Sequence, residues 1–422
     1  MKLIFFLLLL IGPQLHCSDH FPGYHNHSHC QHAQRDQLPL EVPRDIPNYC
    51  KIASSNTDFA YRLYNLIVTN GTDKNVFFSP LSISTIFALL TLGAKGETFN
   101  QINKALAFNL SEIEEKEIHD GFRQLTHVLN HPHKQAQVNI GNALFINDSF
   151  TILPKFLEDT KTWYNAKAFS VNFGNTVETK KQINAYVAEK THGKIAHAID
   201  HLAKYTAMLM LNYIFFKGYW KIPFDSKYTS EEDFFVNATT TVKVDMMFQK
   251  GYYKVLHDED AFSWVVEIPY KGHASAWFLL PSNGKLNDVE GSLENNIFSK
   301  WMAKVRYRYI ELRVPKCSVT TSYSLKKLMK ELGVTDVFNG NADLSGITGR
   351  SSLSVSEVTH KAALNIWENG TEAAAVTVIK FMTGPAQIPS VITFNRPHLL
   401  IITDNPTQSI IFMGKIMNPN DS

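Results

Sequence analysis

Five histidines near the start of the chain have the types and spacing that could support metal chemistry. They surround Cys30 and are His20, His25, His27, His29 and His32. Neutral imidazoles at alternate positions can bind Zn or Cu. No second group of ligands follows at a fixed spacing, so a polar, unstructured leader is favoured over a metal site. We therefore predict no metal and no cofactor.

Motifs for catalysis are absent from the sequence. It has no Gly-x-Ser-x-Gly elbow, no His-Glu-x-x-His, no phosphate-binding Gly-x-x-x-x-Gly-Lys-Ser/Thr and no dinucleotide fingerprint. Cys317 lies in the apolar segment from Leu312 to Thr320 and is expected to be a small buried side chain rather than a nucleophile. The prediction is that the chain is not an enzyme.

A late stretch, residues 368–377, has an unusual alternation of small residues. In a strand, successive side chains point to opposite faces, so one face would carry only small groups: Thr371, Ala373, Ala375 and Thr377. Such a face could enter an existing sheet, and Gly370 permits the bend that entry requires. Alanine and glutamate also favour helices, so an exposed helical turn or linker has the same composition. Both interpretations remain open at this point.

The elements that must position these residues begin after a leader. Lys2 and the apolar run from Leu3 to Ile11 are typical of a secretory signal, with cleavage expected near Cys17. We predict a signal peptide over residues 1–17, a histidine-rich tail over 18–47 and a single domain over 48–422. The net charge of +2 favours neither nucleic acid nor a membrane surface as a partner, and we expect a monomer.

The acceptor sequences for N-glycosylation agree with secretion, whereas cysteines are few for a secreted chain. The mature chain would retain Cys30, Cys50 and Cys317, of which Cys30 and Cys50 could pair within the tail. Further acceptors occur at Asn26 and Asn369. The acceptors that we expect to be modified are Asn70, Asn109, Asn147 and Asn237.

Hydrophobic patterns predict a mixed α/β fold with large, mostly antiparallel sheets. The segment Asn56-Thr57-Asp58 could cap a first helix, and a short strand turns at Pro80 into an apolar helix. Strands are predicted at residues 139–146, 208–216, 242–247, 263–269, 274–280, 309–320, 391–394, 398–403 and 409–416.

Six segments, in order, resemble the serpin family. They are Phe77 to Ser84, Leu211 to Trp220, Ala342 to Gly346, Val358 to Ala363, Glu368 to Thr377 and Phe394 to Pro397. The resemblance extends from about residue 48 to the end. It is strongest with the secreted vertebrate group, clade A, that includes α1-antitrypsin, kallistatin and thyroxine-binding globulin. It implies three β-sheets, about nine helices and an exposed reactive-centre loop.

The resemblance also implies a mechanism. The loop from about residue 368 to 389 would be bait for a serine protease; its cleaved part would insert as a strand and trap the acyl-enzyme. By resemblance, a polar "shutter" lies beneath the sheet that opens, formed by Ser79, Ser82, Asn212 and His360. The "breach", where the loop enters, would contain Trp220, and Lys316 would pair with Glu368. The hinge would comprise Glu368, Gly370, Thr371, Glu372, Ala373, Ala374, Ala375 and Thr377.

The bond that the protease attacks is left open by the sequence. Counting forward from Glu368, as inhibitory relatives do, gives Gly384-Pro385, whereas counting backward from Phe394 gives Ala386-Gln387. A kallistatin-like alignment gives Met382-Thr383, and Thr383-Gly384 is intermediate between these. A chymotrypsin-like or elastase-like enzyme is the expected partner.

Two further functions remain possible by resemblance. A carrier of a hormone or other small hydrophobic ligand is the alternative to an inhibitor, because Asn369 beside the hinge and Pro385 in the loop are unusual for inhibition. Heparin or another glycosaminoglycan could bind four cations near Trp301, although a solvated helix face is the favoured explanation because such spacing is common on exposed helices. The four cations are Lys300, Lys304, Arg306 and Arg308.

Overall fold

The computed structural model describes residues 46–71, 73–130, 136–294, 297–371 and 389–421. The predicted signal peptide and most of the predicted tail lie outside these residues, so their boundaries stay predictions. The described helices are α1 Asn48–Thr69, α2 Pro80–Thr91, α3 Gly96–Ala105, α4 Glu115–Leu129, α5 Pro154–Tyr164, α6 Thr176–Lys190, α7 Leu286–Gly291, α8 Ile297–Lys304, α9 Leu325–Glu331 and α10 Ser345–Thr348.

The first helix starts earlier than the sequence predicted. It begins at Asn48, directly after Pro47, which has φ of −53° and precedes the first turn. The predicted cap at Asn56-Thr57-Asp58 is wrong, because this segment lies inside the helix and Thr57 Oγ1 donates to the Ala53 carbonyl. Proline at a helix start lacks only an N–H that the first turn leaves unpaired anyway.

The second helix begins where the sequence predicted a turn. Strand β1, Val76–Phe78, ends at Ser79, whose side chain accepts a hydrogen bond from the Ser82 backbone, and Pro80 is the first helical residue. Every residue of α2 is buried. The cap and Pro80 fix the point at which α2 begins, and the apolar composition accounts for its burial.

A five-stranded sheet carries the predicted shutter. Its strand order is β10-β11-β4-β2-β3. Strands β4 and β11 are parallel neighbours, with His360 opposite Asn212, while β2 pairs antiparallel with β4. The strand bounds are β2 Gln137–Asn147, β3 Lys167–Val171, β4 Met208–Lys217, β10 Cys317–Ser324 and β11 Glu357–Ile366.

The remaining described strands form one nine-stranded sheet. Its order is β1-β14-β13-β8-β7-β6-β9-β12, with β5 also paired to β6. Three sheets were expected; two result because β6 is 18 residues long and bonds β5 at its start and β7 at its end. The bounds are β5 Ser230–Phe235, β6 Thr241–Asp258, β7 Ser263–Pro269, β8 Ala274–Pro281, β9 Arg306–Pro315, β12 Ser390–Thr393, β13 His398–Asp404 and β14 Ser409–Ile416.

One predicted strand proves to be two strands in different sheets. The prediction of a single strand at residues 309–320 is wrong because the chain leaves the nine-stranded sheet at Pro315 and enters the five-stranded sheet at Cys317. Pro315 has no N–H to continue the ladder, and the next residue, Lys316, donates its N–H to the Asp245 carbonyl. The break brings Lys316 to the junction of the sheets.

The mixed α/β class and the mostly antiparallel pairing are confirmed. Among the helices that the structure describes, none combines the length and the apolar character needed to cross a bilayer.

Candidate functional site: the shutter and breach of the five-stranded sheet

The chain reverses direction directly after strand β11. Trp367 and Gly370 exchange two backbone hydrogen bonds of 2.8 and 3.0 Å, and the Thr371 N–H then donates to the Gly218 carbonyl at 2.6 Å. Gly370 has φ of +132°, and a Cβ there would lie 2.1 Å from that same Gly218 oxygen. Only glycine fits this turn without strain.

Trp220 holds the turn in place at the breach. Its side chain is fully buried, and its Nε1 donates to the Trp367 carbonyl at 2.9 Å. Its backbone N–H donates to the Asn369 carbonyl, also at 2.9 Å. The indole stacks on Tyr270 with ring centroids 4.3 Å apart. The reversed segment is therefore bonded to both the backbone and the side chain of the breach.

Lys316 and Glu368 lie together at the base of the loop. Lys316 Nζ is 3.3 Å from Glu368 Oε1 and 3.3 Å from Asp245 Oδ2, and it lies over the Trp367 ring at 4.9 Å. Thr229 Oγ1 donates to the same Glu368 oxygen at 3.0 Å. Both members of the pair are mostly buried, so screening by solvent is weaker than for a surface ion pair.

The four shutter residues form a continuous buried network. The Ser79 N–H donates to His360 Nε2 at 3.1 Å, and His360 Nδ1 lies 2.6 Å from Asn212 Oδ1. Asn212 Nδ2 donates to Ser82 Oγ at 2.6 Å and to Asn142 Oδ1 at 2.7 Å. The network joins the start of α2 to β4 and β11.

The partners of His360 define its protonation state. Because a backbone N–H donates to Nε2, that nitrogen must be an unprotonated acceptor, and Nδ1 carries the hydrogen that Asn212 accepts. Burial lowers the pKa of His360 from 6.5 to about 3. A proton on Nε2 would face the N–H of Ser79 and destroy one hydrogen bond.

Three polar partners in this region were missed at the sequence level. Asn142 lies in β2 and joins the shutter, while Asp245 and Thr229 contact the ion pair at the breach. Asn142 had a detectable signal, since it is a polar residue within an otherwise apolar predicted strand. Asp245 and Thr229 had none, because ordinary polar surface residues have the same local pattern.

Several predicted site residues lie outside the described residues. They include the hinge residues Glu372, Ala373, Ala374, Ala375 and Thr377, the bait candidates Met382, Thr383, Gly384, Pro385 and Ala386, and Cys30 with the tail histidines. Cys50 is disulfide-bonded, and its pairing with Cys30 stays a prediction. Cys317 is a free, buried thiol, and burial raises its pKa to about 12.

The predicted acceptor asparagines occupy different environments. Asn70, Asn109 and Asn237 are exposed, whereas Asn147 and Asn369 are half-buried. The Asn369 carbonyl also accepts the Trp220 N–H. A glycan at Asn369 would therefore branch from backbone that is bonded into the breach.

The four predicted basic residues are separated by structure. Lys304, Arg306 and Arg308 are exposed at the end of α8 and the start of β9. Lys300 Nζ instead lies 3.2 Å from Asp258 and 2.9 Å from Asp260. Its charge is thus already compensated. In the portion of the chain that the structure describes, no group of three or more histidine, cysteine or acidic side chains could hold a metal ion.

Comparison with known proteins agrees with this geometry. The family model "Serpin (serine protease inhibitor)" matches residues 54–419. Alpha-1-antiproteinase 2 of Equus caballus is 46% identical over 384 residues, which cover 91% of this chain and 90% of that protein.

Two solved human structures are also similar. Thyroxine-binding globulin in complex with thyroxine has a TM-score of 0.85 at 38% identity, covering 89% of this chain and all of that one. Glycosylated kallistatin has a TM-score of 0.84 at 41% identity, covering 88% of this chain and 99% of that one. The chain belongs to the serpin family.

Proposed function

We propose that this serpin is a secreted inhibitor of a serine protease that acts as a suicide substrate. One observation carries the proposal: β4 and β11 are parallel neighbours, and the chain reverses immediately after β11. A segment that turns back at Gly370 would run antiparallel to both strands. It could therefore complete ladders on both of its edges if the strands moved apart.

The energetics support insertion after the loop is cut. Strand β11 has ten residues. An inserted strand of similar length would add about ten hydrogen bonds of about 1 kcal/mol each, or about 10 kcal/mol in total. Before cleavage the loop is held at both ends, at Thr371 and at Ser390. Cutting it releases one end and makes full insertion geometrically possible.

Insertion explains how the protease would be trapped. The serine nucleophile attacks the bait bond and forms an acyl-enzyme. Insertion then drags the attached enzyme across the inhibitor, and distortion of the oxyanion hole blocks deacylation. Loss of one oxyanion donor alone slows the reaction by about a hundredfold or more.

The small side chains predicted for the inserting face suit this mechanism. Thr371 is already buried against the breach. We propose that Ala373, Ala375 and Thr377 follow it into the sheet on the same face. A charged residue at any of these positions would be placed in the sheet interior, where an unpaired charge is strongly unfavourable.

Formation of a covalent complex tests the proposal. The purified chain is mixed with chymotrypsin, trypsin and neutrophil elastase, and the products are separated in SDS. We expect an SDS-stable complex with chymotrypsin or elastase, and mass spectrometry of the released fragment then identifies which of Met382, Thr383, Gly384 or Ala386 precedes the cut. Thr371→Arg is the matched control, because it should be cleaved without trapping the enzyme. Clean cleavage of the wild-type chain with no complex would refute inhibition.

A carrier function is the second proposal, because the structure of thyroxine-binding globulin with thyroxine is among the similar structures. Calorimetric titration with thyroxine tests it. Saturable binding with one site per chain would support a carrier, whereas absence of heat at a 100-fold ligand excess would refute it for this ligand.

We also propose that Lys304, Arg306 and Arg308 form the candidate glycosaminoglycan site. Lys300 contributes less because of its pairing with Asp258 and Asp260. The double variant Lys304→Glu/Arg308→Glu should elute from heparin at lower salt than the wild type. Lys181→Glu/Lys204→Glu is the control, because it makes the same change of charge at two exposed lysines of other segments. Equal elution of all three proteins would contradict the assignment.

Secretion and glycosylation belong to the same proposal. Expression in mammalian cells should place the chain in the medium, with residues 1–17 removed. Treatment with an N-glycosidase should shift its mass through glycans at Asn70, Asn109 and Asn237, the three exposed acceptors among those predicted. Retention of the intact chain inside the cells would contradict it.

A further inference from the structure

An exposed aromatic and basic surface flanks the proposed bait loop. Tyr252 and Tyr307 are 62% and 69% exposed, and Val391 is 60% exposed. Single exposed apolar side chains are common on soluble proteins, but a contiguous group indicates an interaction site. We define the loop-flanking face by Lys221, Tyr252, Lys271, Tyr307, Tyr309 and Val391.

Strand register places the three tyrosines and Val391 on one side of the sheet. Tyr252 is directly opposite Tyr309, and their ring centroids are 5.2 Å apart. Tyr307 lies two residues before Tyr309 on the same strand and therefore shares its face. Val391 is opposite Glu311, which lies two residues after Tyr309 and therefore points to the same side of the sheet. Val391 thus joins this face at the edge of the sheet.

The lysines lie around a depression beside the tyrosines. Lys221 and Lys271 line it together with Tyr252 and Tyr307, and its volume is about 370 Å³. Two further lysines on this side are compensated: Lys254 pairs with Glu267 at 2.9 Å and Lys250 with Glu311 at 2.6 Å. Within the described residues, neither Lys221 nor Lys271 has a carboxylate partner. The net charge of these six residues is therefore +2.

Both ends of the bait loop are attached next to this face. At one end, the Lys271 N–H donates to the Tyr219 carbonyl, and Tyr219 pairs with Gly370. At the other end, Ser390 pairs with Ile310 of β9, and Val391 follows it. The loop-flanking face thus extends from the start of the loop to its end.

The length of chain limits how far a bound protease can be from this face. The candidate bonds from Met382 to Ala386 lie five to nine residues before Val391. At about 3.3 Å per residue, the cut bond is at most about 30 Å from Val391. A domain of about 200 residues has a radius of gyration of about 16 Å and a diameter near 40 Å. A protease engaged on the loop would therefore be close enough to contact the face.

We propose that the loop-flanking face is an accessory docking surface for the protease that cuts the loop. This inference rests on the proposed inhibitory function. The lysines would pair with acidic side chains beside the active-site cleft of the protease, and the tyrosines would pack on apolar surface there. Tyrosine suits such contacts because it buries a large area at low entropic cost. The face would raise the association rate without taking part in strand insertion.

The test compares matched variants in the rate of complex formation. Lys221→Glu is compared with Lys204→Glu, and Tyr252→Ala with Tyr205→Ala; Tyr205 is 91% exposed. Lys204 and Tyr205 precede β4, whereas Lys221 follows it, so the control pair lies at the other end of this ten-residue strand. Equal thermal midpoints establish that all four variants are folded.

We expect Lys221→Glu to slow association with chymotrypsin or elastase about threefold at low salt, and the loss should shrink as salt rises. Tyr252→Ala should slow it about fivefold at every salt concentration. Both controls should match the wild type, and the number of inhibitor molecules consumed per trapped protease should not change in any variant.

The outcomes separate this inference from the function on which it rests. Absence of a covalent complex with the wild-type chain would refute the inhibitory function and the docking surface together. A complex that forms at one rate in all variants would refute the docking surface alone. Weaker heparin retention of Lys221→Glu with an unchanged rate of association with the protease would also refute it, because the lysines would then bind a polyanion rather than the protease.

Discussion

Protonation of His360 provides the sharpest test of the shutter. In the folded chain its pKa is lowered to about 3, from an ordinary value of 6.5, because the ring is fully buried. The unfolded state therefore takes up a proton between pH 6.5 and pH 3 that the folded state does not bind. Stability is complete above pH 6.5 and falls as the pH decreases through this window.

The magnitude follows from the two pKa values. At pH 5 the unfolded side chain is mostly protonated while the folded one is not, which costs about 2 kcal/mol of unfolding free energy. Burial also lowers the pKa of His398 from 6.5 to about 4. Acid therefore destabilises the fold through this second histidine over nearly the same pH range. The two contributions must be separated by substitution.

The assay measures thermal midpoints from pH 7.5 to pH 5 for the wild type, His360→Gln and His398→Gln. Each variant should lose one of the two contributions and so depend less on pH than the wild type, whatever its stability at pH 7.5. A second readout reports opening of the sheet itself. A synthetic peptide of residues 371–382 should enter between β4 and β11 faster at pH 5 than at pH 7.5.

Only His360→Gln should remove the acid acceleration of peptide uptake, because His360 joins the two strands that the proposed insertion would separate and His398 lies in the other sheet. Wild type and His360→Gln with the same pH dependence in both assays would refute the assignment of the shutter as the acid-sensitive element.

Three further predictions concern the breach. Gly370→Ala should lower the thermal midpoint by the equivalent of about 1–3 kcal/mol, because its positive φ and the close Gly218 backbone exclude a side chain. Gly291→Ala has open space around it and should leave the midpoint unchanged, so equal midpoints for the two variants would contradict this account of the turn. Lys316→Ala and Glu368→Ala should show a coupling of about 1 kcal/mol in a double-mutant cycle of thermal stability, and each variant should take up the peptide faster. Purely additive effects on stability would mean that this ion pair does not hold the base of the loop. Trp220→Phe should cost about 1 kcal/mol in denaturant unfolding, since it removes one hydrogen bond but keeps an aromatic ring; an unchanged midpoint would show that this bond does not hold the turn.

Much of the secondary structure could be predicted from local patterns. The strands at β4, β7, β8, β13 and β14 have long apolar or alternating runs that no other element explains as well. Short strands with mixed composition were missed, among them β3 and β5, because their burial depends on neighbours that are distant in sequence. Strand β11 was noticed only through its resemblance to a family segment.

The errors have physical reasons of the same kind. Asn56-Thr57-Asp58 has good capping chemistry, but a cap is used only where the chain enters the helix, and Pro47 sets that point earlier. Residues 309–320 form a continuous strand pattern, but Lys316 marks a change of sheet that strand propensity does not encode.

The sequence by itself determined the family and the class of fold, because six ordered segments resemble serpins and the hydrophobic patterns predict a mixed α/β chain. The roles of the shutter and breach residues came from the resemblance and stay predictions. Only the tertiary structure decided that β4 and β11 are parallel neighbours and that the chain reverses between Trp367 and Gly370, directly after β11. It also decided that Asn142 and Asp245 complete the two clusters. The physical reason is that hydrogen bonds and ion pairs between distant segments depend on how strands are ordered in a sheet, and strand order is a property of the packed chain rather than of any local stretch.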